Sequence, residues 1–389
     1  MSSPLHPPLH NVRVLDLSRL LPGPFCTLIL SDLGARVDKV EDPHAGDYVR
    51  MFPPHGVNGM SGMYNAINRD KRSLCLDLKK PEGRGALLRL LPRYDVIVES
   101  FRPGVMARLG LGFETLQAAC PRIVQCSISG YGQTGPYQER AGHDVNYVAL
   151  AGVLGMNGPR ESPSLLGVQL ADLAGGALWG AVGILAALYD ARASNRGRLV
   201  DVSMCEGALA FLVPMLGSFD ASGGKPPVRA GEILNGGVAC YGVYRTRDGK
   251  HLSVGALEPK FWLAFNAAIG RAGDPSELIA SAAEQERVRA EVQAILEGKT
   301  RDEWELVFAR ADACVEPVLT VEELRTHPQH VARGMFFDID GIGQTRTPFG
   351  SGEGHTPPPR QGEQSDAILA DAGFSAEEIA ALHKSGATR

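Results

Sequence analysis

The sequence predicts an α/β protein built on an open parallel sheet, with a smaller α+β domain after it. Three observations carry this expectation. Val12–Val40 reads as strand, turn, helix and strand; the same alternation continues to Ser129; and the composition shifts at Asp220. Parallel strands need helical crossovers between them, so regular alternation of short apolar runs with helical stretches is their signature. A chain of 389 residues also suits about two domains at roughly 150 residues each.

Val12–Leu17 (VRVLDL) is a short apolar run suited to a buried strand. Leu21-Pro22-Gly23-Pro24 opens a helix to about Leu33, with proline near its first turn and Gly34 just past its end. Ala35–Val40 is the second strand, and Glu41–Asn68, rich in Gly, Pro, Met and His, is expected to be irregular. Ser73–Leu78 alternates like a strand, Pro81–Leu91 is helical and Asp95–Glu99 is a buried strand. Phe113–Ala119 is a short helix and Ile123–Ser129 a strand. Further on, Leu173–Tyr189 is an apolar helix, Gly197–Val202 a strand and Met204–Phe219 a second apolar helix.

The run ASGGKPPVRAGEILNGG is linker-like. Beyond it, Tyr241–Arg245 and Leu252–Gly255 form a hairpin about an Asp-Gly turn. Helices follow at about Pro259–Ala272, Ala283–Glu297 and Arg301–Ala311, the last with Thr300 as N-cap. Gly343–Gly362 is rich in proline and glycine, and Ser375-x-x-Glu378 is a capping box for a final helix closing near Gly386. The expected layout is a large domain at 1–220, a small domain at 231–320, and a linker with C-terminal segment at 321–389.

Composition excludes several classes. Hydrophobic residues make up 44% and charged residues 21% of the chain, the balance of an ordinary soluble globular protein. The net charge of −5, with no basic run longer than Lys79-Lys80, argues against a nucleic-acid surface. Seven scattered cysteines without a CxxC suit a reduced compartment and argue against a disulfide framework or a zinc site; no metal is expected. MSSPLHPPLHN lacks the pattern of a secretory signal. The seventeen residues Leu173–Tyr189 carry no charge but contain four glycines. A spanning helix needs about 20 predominantly apolar residues, so this one reads as a buried helix, and a cytoplasmic protein without membrane partners is expected.

Gly130-Tyr131-Gly132-Gln133-Thr134-Gly135 matches GxGxxG after a strand, but Pro136 and a polar run follow where a dinucleotide fingerprint needs a helix. A glycine-rich active-site loop is the better reading. Ser100-Phe101-Arg102-Pro103-Gly104 follows a strand end, with Arg108 a turn further on; ligands sit outside the carboxyl ends of such strands, and two arginines there could hold a diphosphate or be solvated surface charge. Lys71 and Arg72, close to Lys79 and Lys80, read as a wet face. Asp172 stands at the mouth of the apolar helix, where the helix N-terminus favours negative charge. His143 brings the residue type that titrates near neutral pH. Each has a bland alternative, since Asp144 could cap a helix near Asn146 and Asp172 could be an N-cap. Glu258, beside Pro259, could likewise be only a helix start.

VRVLDLSRLLPGPF, LGARVDKVED, RDKRSLCLDLK, VESFRPGVMARLGLG, SGYGQTGPY, AGHDVNY, ADLAGG, VGALEPKFW and DACVEPVL, in this order, resemble the family III CoA-transferase (CaiB/BaiF) superfamily and, within it, the α-methylacyl-CoA racemases. The resemblance spans nearly the whole chain. It implies an interlocked homodimer, each chain threaded through the other, with a Rossmann-like CoA-binding large domain to which the C-terminal segment returns. It carries His143 and Asp172 over as the acid/base pair and Glu258 as an acid from the partner chain. Leu76, Asp77, Leu78, Lys79, Ser100, Phe101, Arg102, Pro103, Gly104 and Arg108 match positions that contact CoA, as do Gly142, Asp144, Val145, Asn146 and Tyr147.

The implied activity is interconversion of (R)- and (S)-2-methylacyl-CoA thioesters by 1,1-proton transfer through an enolate, with no cofactor beyond the CoA of the substrate. One base takes the α-proton, the thioester oxygen gathers charge, and the other returns a proton to the opposite face. Gly175 and Gly176 are a natural place to stabilise that oxygen. The alternative is a CoA-transferase that forms an acyl-enzyme on Asp172; transferases generally lack the His-Asp pair. The chain departs from the racemase pattern at Leu234-Asn235-Gly236-Gly237-Val238, where Leu-Asp-Gly-Gly is common, and at the acidic pair Glu41-Asp42, where some relatives place an arginine that helps with CoA.

Overall fold

A computed structural model describes residues 7–389. The chain forms two compact units, one reaching to Ala151 and including Val168–Phe211 and Pro328–Arg389, the other Gly152–Gly167 with Leu212–His327. The first holds a six-stranded sheet of β1 (Arg13–Asp16), β2 (Arg36–Glu41), β3 (Lys71–Cys75), β4 (Val96–Glu99), β5 (Val124–Ser129) and β6 (Leu199–Ser203). Every neighbouring pair is parallel and the order is β3-β2-β1-β4-β5-β6. Strands buried on both faces run continuously apolar, as the wholly buried β4 and the Val14-Leu15 centre of β1 do. The order reverses between β1 and β4, so the loops leaving their carboxyl ends diverge and open a crevice.

The structure moves β3 two residues earlier than the expected Ser73–Leu78, because Lys71 belongs inside. Its buried ammonium meets Asp16 at 3.2 Å and donates to Pro24 O and Asn68 Oδ1 at 2.9 and 3.0 Å. Arg72 is paired with Asp38 at 2.7 Å. This pair is therefore structural charge and not a wet face. Glu41–Asn68 also has more order than expected. A single turn forms at Tyr48–Met51, and a helix at Gly62–Ile67 starts where the Ser61 hydroxyl accepts Met63 N–H at 3.2 Å.

Pro328–Arg389 supplies the outer partners of the edge strand β3, whose N–H groups at Ser73 and Cys75 donate to Gln364 Oε1 and Ser365 Oγ at 2.8 and 3.1 Å. Occupying an exposed edge in this way blocks pairing with other chains. The capping box at Ser375 and Glu378 forms, and Ile379 and Leu382 of its helix join Leu74, Leu87 and Leu90 in one apolar cluster. A hairpin of β10 (Phe336–Ile339) and β11 (Ile342–Thr345), unanticipated from the sequence, precedes it.

In the second unit the Asp-Gly hairpin forms as β7 (Tyr241–Arg245) and β8 (His251–Gly255), joined by an antiparallel β9 (Val315–Pro317). Trp262, Phe265, Trp304 and Phe308 stack in its core, from the helices Pro259–Ile269 and Arg301–Phe308. Two helical stretches, Ala171–Ser194 and Met204–Ala221, are long and apolar enough to cross a membrane; half of the apolar window of the first is buried.

Candidate active site

Two cavities open at the crevice of the first unit. The smaller, about 210 Å³, has a floor of Leu17, Val40, Leu76 and Leu78, with Asp77 and Lys79 at its side. The larger, about 560 Å³, is lined by Ser100–Pro103, by Gly142, His143, Asn146 and Tyr147, and by Asp172. The residues proposed to act as acid and base thus face one space.

His143 sits at the N-cap of the helix Asp144–Leu150, so Asp144 is the first helical residue and not the cap expected near Asn146. The cap is closed by the His143 N–H, which donates to Asn146 Oδ1 at 3.0 Å. The Tyr147 hydroxyl donates to Gly142 O at 2.5 Å. Its ring fills the space where a Cβ on Gly130 or Gly142 would stand, only 2.4 and 2.7 Å from ring carbons, so glycine is required at both positions.

Asp172 is the second residue of a π-helical turn, Ala171–Leu178, that runs into the α-helix Trp179–Ser194. Such turns are rare and recur at functional sites. The Asp172 N–H donates to Asp144 Oδ1 at 3.0 Å. Burial, with the Asp144 charge as the lesser cause, pushes the Asp172 carboxyl up to about 7. A carboxyl poised there can both take and return a proton at neutral pH.

Close packing accounts for glycine at positions 175 and 176. A Cβ on Gly175 would lie 2.5 Å from Met204 O, and one on Gly176 2.8 Å from Met204 Cγ. Both glycines let this helix pack against the one beginning at Met204.

Gly104, Arg108, Asp144 and Val145 line neither cavity. Gly104 is the left-handed N-cap of a short helix, φ 78°, that ends at Arg108. Glu258 stands exposed in the second unit at the N-cap of Pro259–Ile269. The acidic pair is occupied: Glu41 binds Arg50 at 2.6 Å and the Ser73 hydroxyl at 2.6 Å, while Asp42 caps the turn at His44 and Ala45. Sequence reasoning missed Arg19, Tyr48 and Arg140, all lining the larger cavity. Only Arg19 had a positional signal, as the residue just after the first strand in a chain that reads as a parallel sheet. At the end of β4, burial raises the Glu99 carboxyl to about 7 against the hydrogen bonds of Ser127 and the Phe101 N–H; Glu99 accepts from that N–H at 2.8 Å.

Comparison with known proteins shows where this architecture recurs. The family description "CoA-transferase family III" matches residues 9–365. The chain is 37% identical over 382 residues to a human protein named alpha-methylacyl-CoA racemase, covering 96% of each. It is 33% identical over 340 residues to a succinyl-CoA–D-citramalate CoA-transferase of Chloroflexus aurantiacus, covering 86% of this chain and 84% of that one. The crystal structure of a CaiB/BaiF family protein from Brucella suis superposes with a TM-score of 0.81 at 30% identity, covering 93% of this chain and 98% of the other.

Proposed function

The chain belongs to CoA-transferase family III, and from that premise we propose that it interconverts (R)- and (S)-2-methylacyl-CoA thioesters by moving the α-proton between Asp172 and His143. The observation that carries the reading is that these two side chains line one cavity, with the carboxyl raised to about 7. For one epimer Asp172 takes the α-proton as the C–H bond breaks, leaving a planar enolate whose oxygen carries the charge. His143 then gives a proton to the opposite face, and the roles reverse for the other epimer. A two-base exchange of this kind calls for no metal or organic cofactor beyond the CoA of the substrate. Leu76–Lys79 and Ser100–Pro103, which line the two cavities, would hold that CoA.

In this reading the working unit is a homodimer whose interlocked chains bring Glu258 of one to the cavity of the other, in a cytoplasmic setting that suits the free cysteines. Incubation of a panel of 2-methylacyl-CoA esters in deuterium oxide is the test. Deuterium at the α-carbon with loss of optical activity is expected; no exchange with any acyl group refutes the reading.

Two observations favour a second reading. Asp172 is the one carboxylate among the described residues lining the larger cavity, and a transferase relative covers most of the chain. A CoA-transferase would use Asp172 as the nucleophile that accepts the acyl group as CoA thiolate leaves. A hydroxylamine-sensitive adduct on Asp172, seen by mass spectrometry, would select it.

A further inference from the structure

The two cavities share two lining residues, Arg19 and Phe101. Arg19 leaves the end of β1 and Phe101 the end of β4, so the partition between the cavities stands on the switch point of the sheet. The Arg19 guanidinium lies over the Phe101 ring, 5.5 Å from its centroid. Among the described residues it forms no ion pair with a carboxylate.

The backbone beneath Arg19 is gripped at consecutive residues. Ser18 N–H donates to Asp16 at 3.0 Å and Ser18 O accepts from Lys39 Nζ at 2.8 Å. Arg19 N–H donates to Ser100 Oγ at 3.3 Å and Leu20 N–H to Asp47 Oδ1 at 3.2 Å. Lys39 and Asp47 are themselves a fully buried pair at 2.9 Å. Leu20 is thereby held at φ 63°, a left-handed conformation that a leucine adopts only where its surroundings over-determine it. On the other side, the Phe101 N–H is tied to buried Glu99. These bonds fix the backbone from which the exposed Arg19 side chain projects.

We propose that Arg19 contacts substrate directly, its guanidinium binding the diphosphate of the CoA moiety where the ester passes from the smaller cavity to the larger. This rests on the acyl-CoA reading above. In such an ester the diphosphate joins the nucleoside to the pantetheine arm. The apolar floor of the smaller cavity suits the nucleoside base, and the larger cavity holds the groups that act on the thioester. The link between them crosses the partition. A guanidinium offers paired N–H donors that match phosphate oxygens, and an unpaired one gives up no existing ion pair to do so. Of the two arginines that the sequence suggested for a diphosphate, Arg102 and Arg108, the first also lines the larger cavity.

The test is calorimetric binding of CoA to the full chain, with Arg19→Gln and Arg19→Lys beside it. Deuterium wash-in is then compared for a 2-methylacyl-CoA and the same acyl group on phosphate-free pantetheine. We expect Arg19→Gln to weaken CoA binding about ten- to a hundredfold, with Arg19→Lys recovering part. The loss should appear as raised KM for the CoA ester, with kcat and the pantetheine ester unaffected and the melting temperature unchanged. Equal CoA binding by wild type and Arg19→Gln, or an equal loss on the pantetheine ester, overturns the assignment. A wild type that fails to bind CoA overturns the acyl-CoA reading itself. CoA binding that depends on Arg19 in a protein showing no exchange upholds the assignment and refutes only the proposed reaction.

Discussion

Replacing Asp144 by asparagine removes one charge beside Asp172 and leaves an amide oxygen that can still accept the Asp172 N–H. The Asp172 carboxyl is raised from 3.8 to about 7, with burial the larger cause and Asp144 the smaller. Asp144 can therefore supply less than half of about three units. Its oxygen accepts the Asp172 backbone N–H at 3.0 Å, which holds the two residues side by side. A lesser share of about three units is about one unit, or about 1.4 kcal/mol. In a two-base racemase the acid and base share one proton and titrate as a pair. Both directions then follow one bell-shaped profile, whose acid limb marks loss of the singly protonated pair as a second proton binds. The expected result is that Asp144→Asn moves this limb of kcat/KM down by about half to one unit for both epimers. Well below the limb, the variant outpaces the wild type by about three- to tenfold. The assay is deuterium wash-in across pH 4.5–8, with CoA binding as a control for geometry. An unmoved limb, or one that moves up, refutes the claim that Asp172 is the base tuned by Asp144.

Three other outcomes follow from the same geometry. Because the folded Asp172 carboxyl titrates at about 7 rather than 3.8, its ionisation opposes folding. The penalty is absent below about pH 4, grows up to pH 7 and is full above it; the three-unit shift, discounted for partial exposure, leaves about 1–2 kcal/mol. Asp172→Asn should therefore melt higher than the wild type at pH 8 and alike at pH 4 by calorimetry. His143→Ala should reduce racemisation by at least about 100-fold, read by the loss of optical activity, while acyl transfer between carboxylic acids, if the chain performs it, continues. Lys39→Met leaves Asp47 buried without its partner at 2.9 Å and should cost about 3–5 kcal/mol in urea unfolding.

What the sequence revealed was what local chemistry decides. Proline at the start of the first helix, the Asp-Gly turn, Thr300 and the Ser375 capping box all form as read, because each depends on residues a few positions apart. The apolar runs of β1, β4 and β5 did the same for the sheet. What stayed hidden depends on partners far along the chain. Lys71 looks solvated until Asp16 and Asn68 surround it. The β10–β11 hairpin and the third strand of the second unit are short and weakly patterned. The site divides along the same line. His143 and Asp172 were singled out by type and setting, whereas Arg19 lay in a charged surface class that composition cannot rank. Its place after the first strand was readable, but that this is the switch point of the sheet became legible only once the reversal of strand order between β1 and β4 was known.

The tuning of Asp172 also bears on which chemistry the site favours. A carboxylate that attacks a thioester must be ionised, and a group titrating at about 7 is half protonated at neutral pH, which penalises a nucleophile. A proton carrier has the opposite requirement. It must accept the α-proton for one epimer and surrender it for the other, so a value near working pH serves both steps with neither strongly uphill. Burial alone would raise the carboxyl; Asp144 raises it further while its oxygen fixes the backbone from which Asp172 projects. One residue thus holds the backbone of the proposed base and adds to the effect of burial on its acidity. His143, which precedes Asp144 in sequence and caps the same helix, lines the cavity from that side. Asp144 and His143, the second proposed proton carrier, are thus neighbours at the start of one helix.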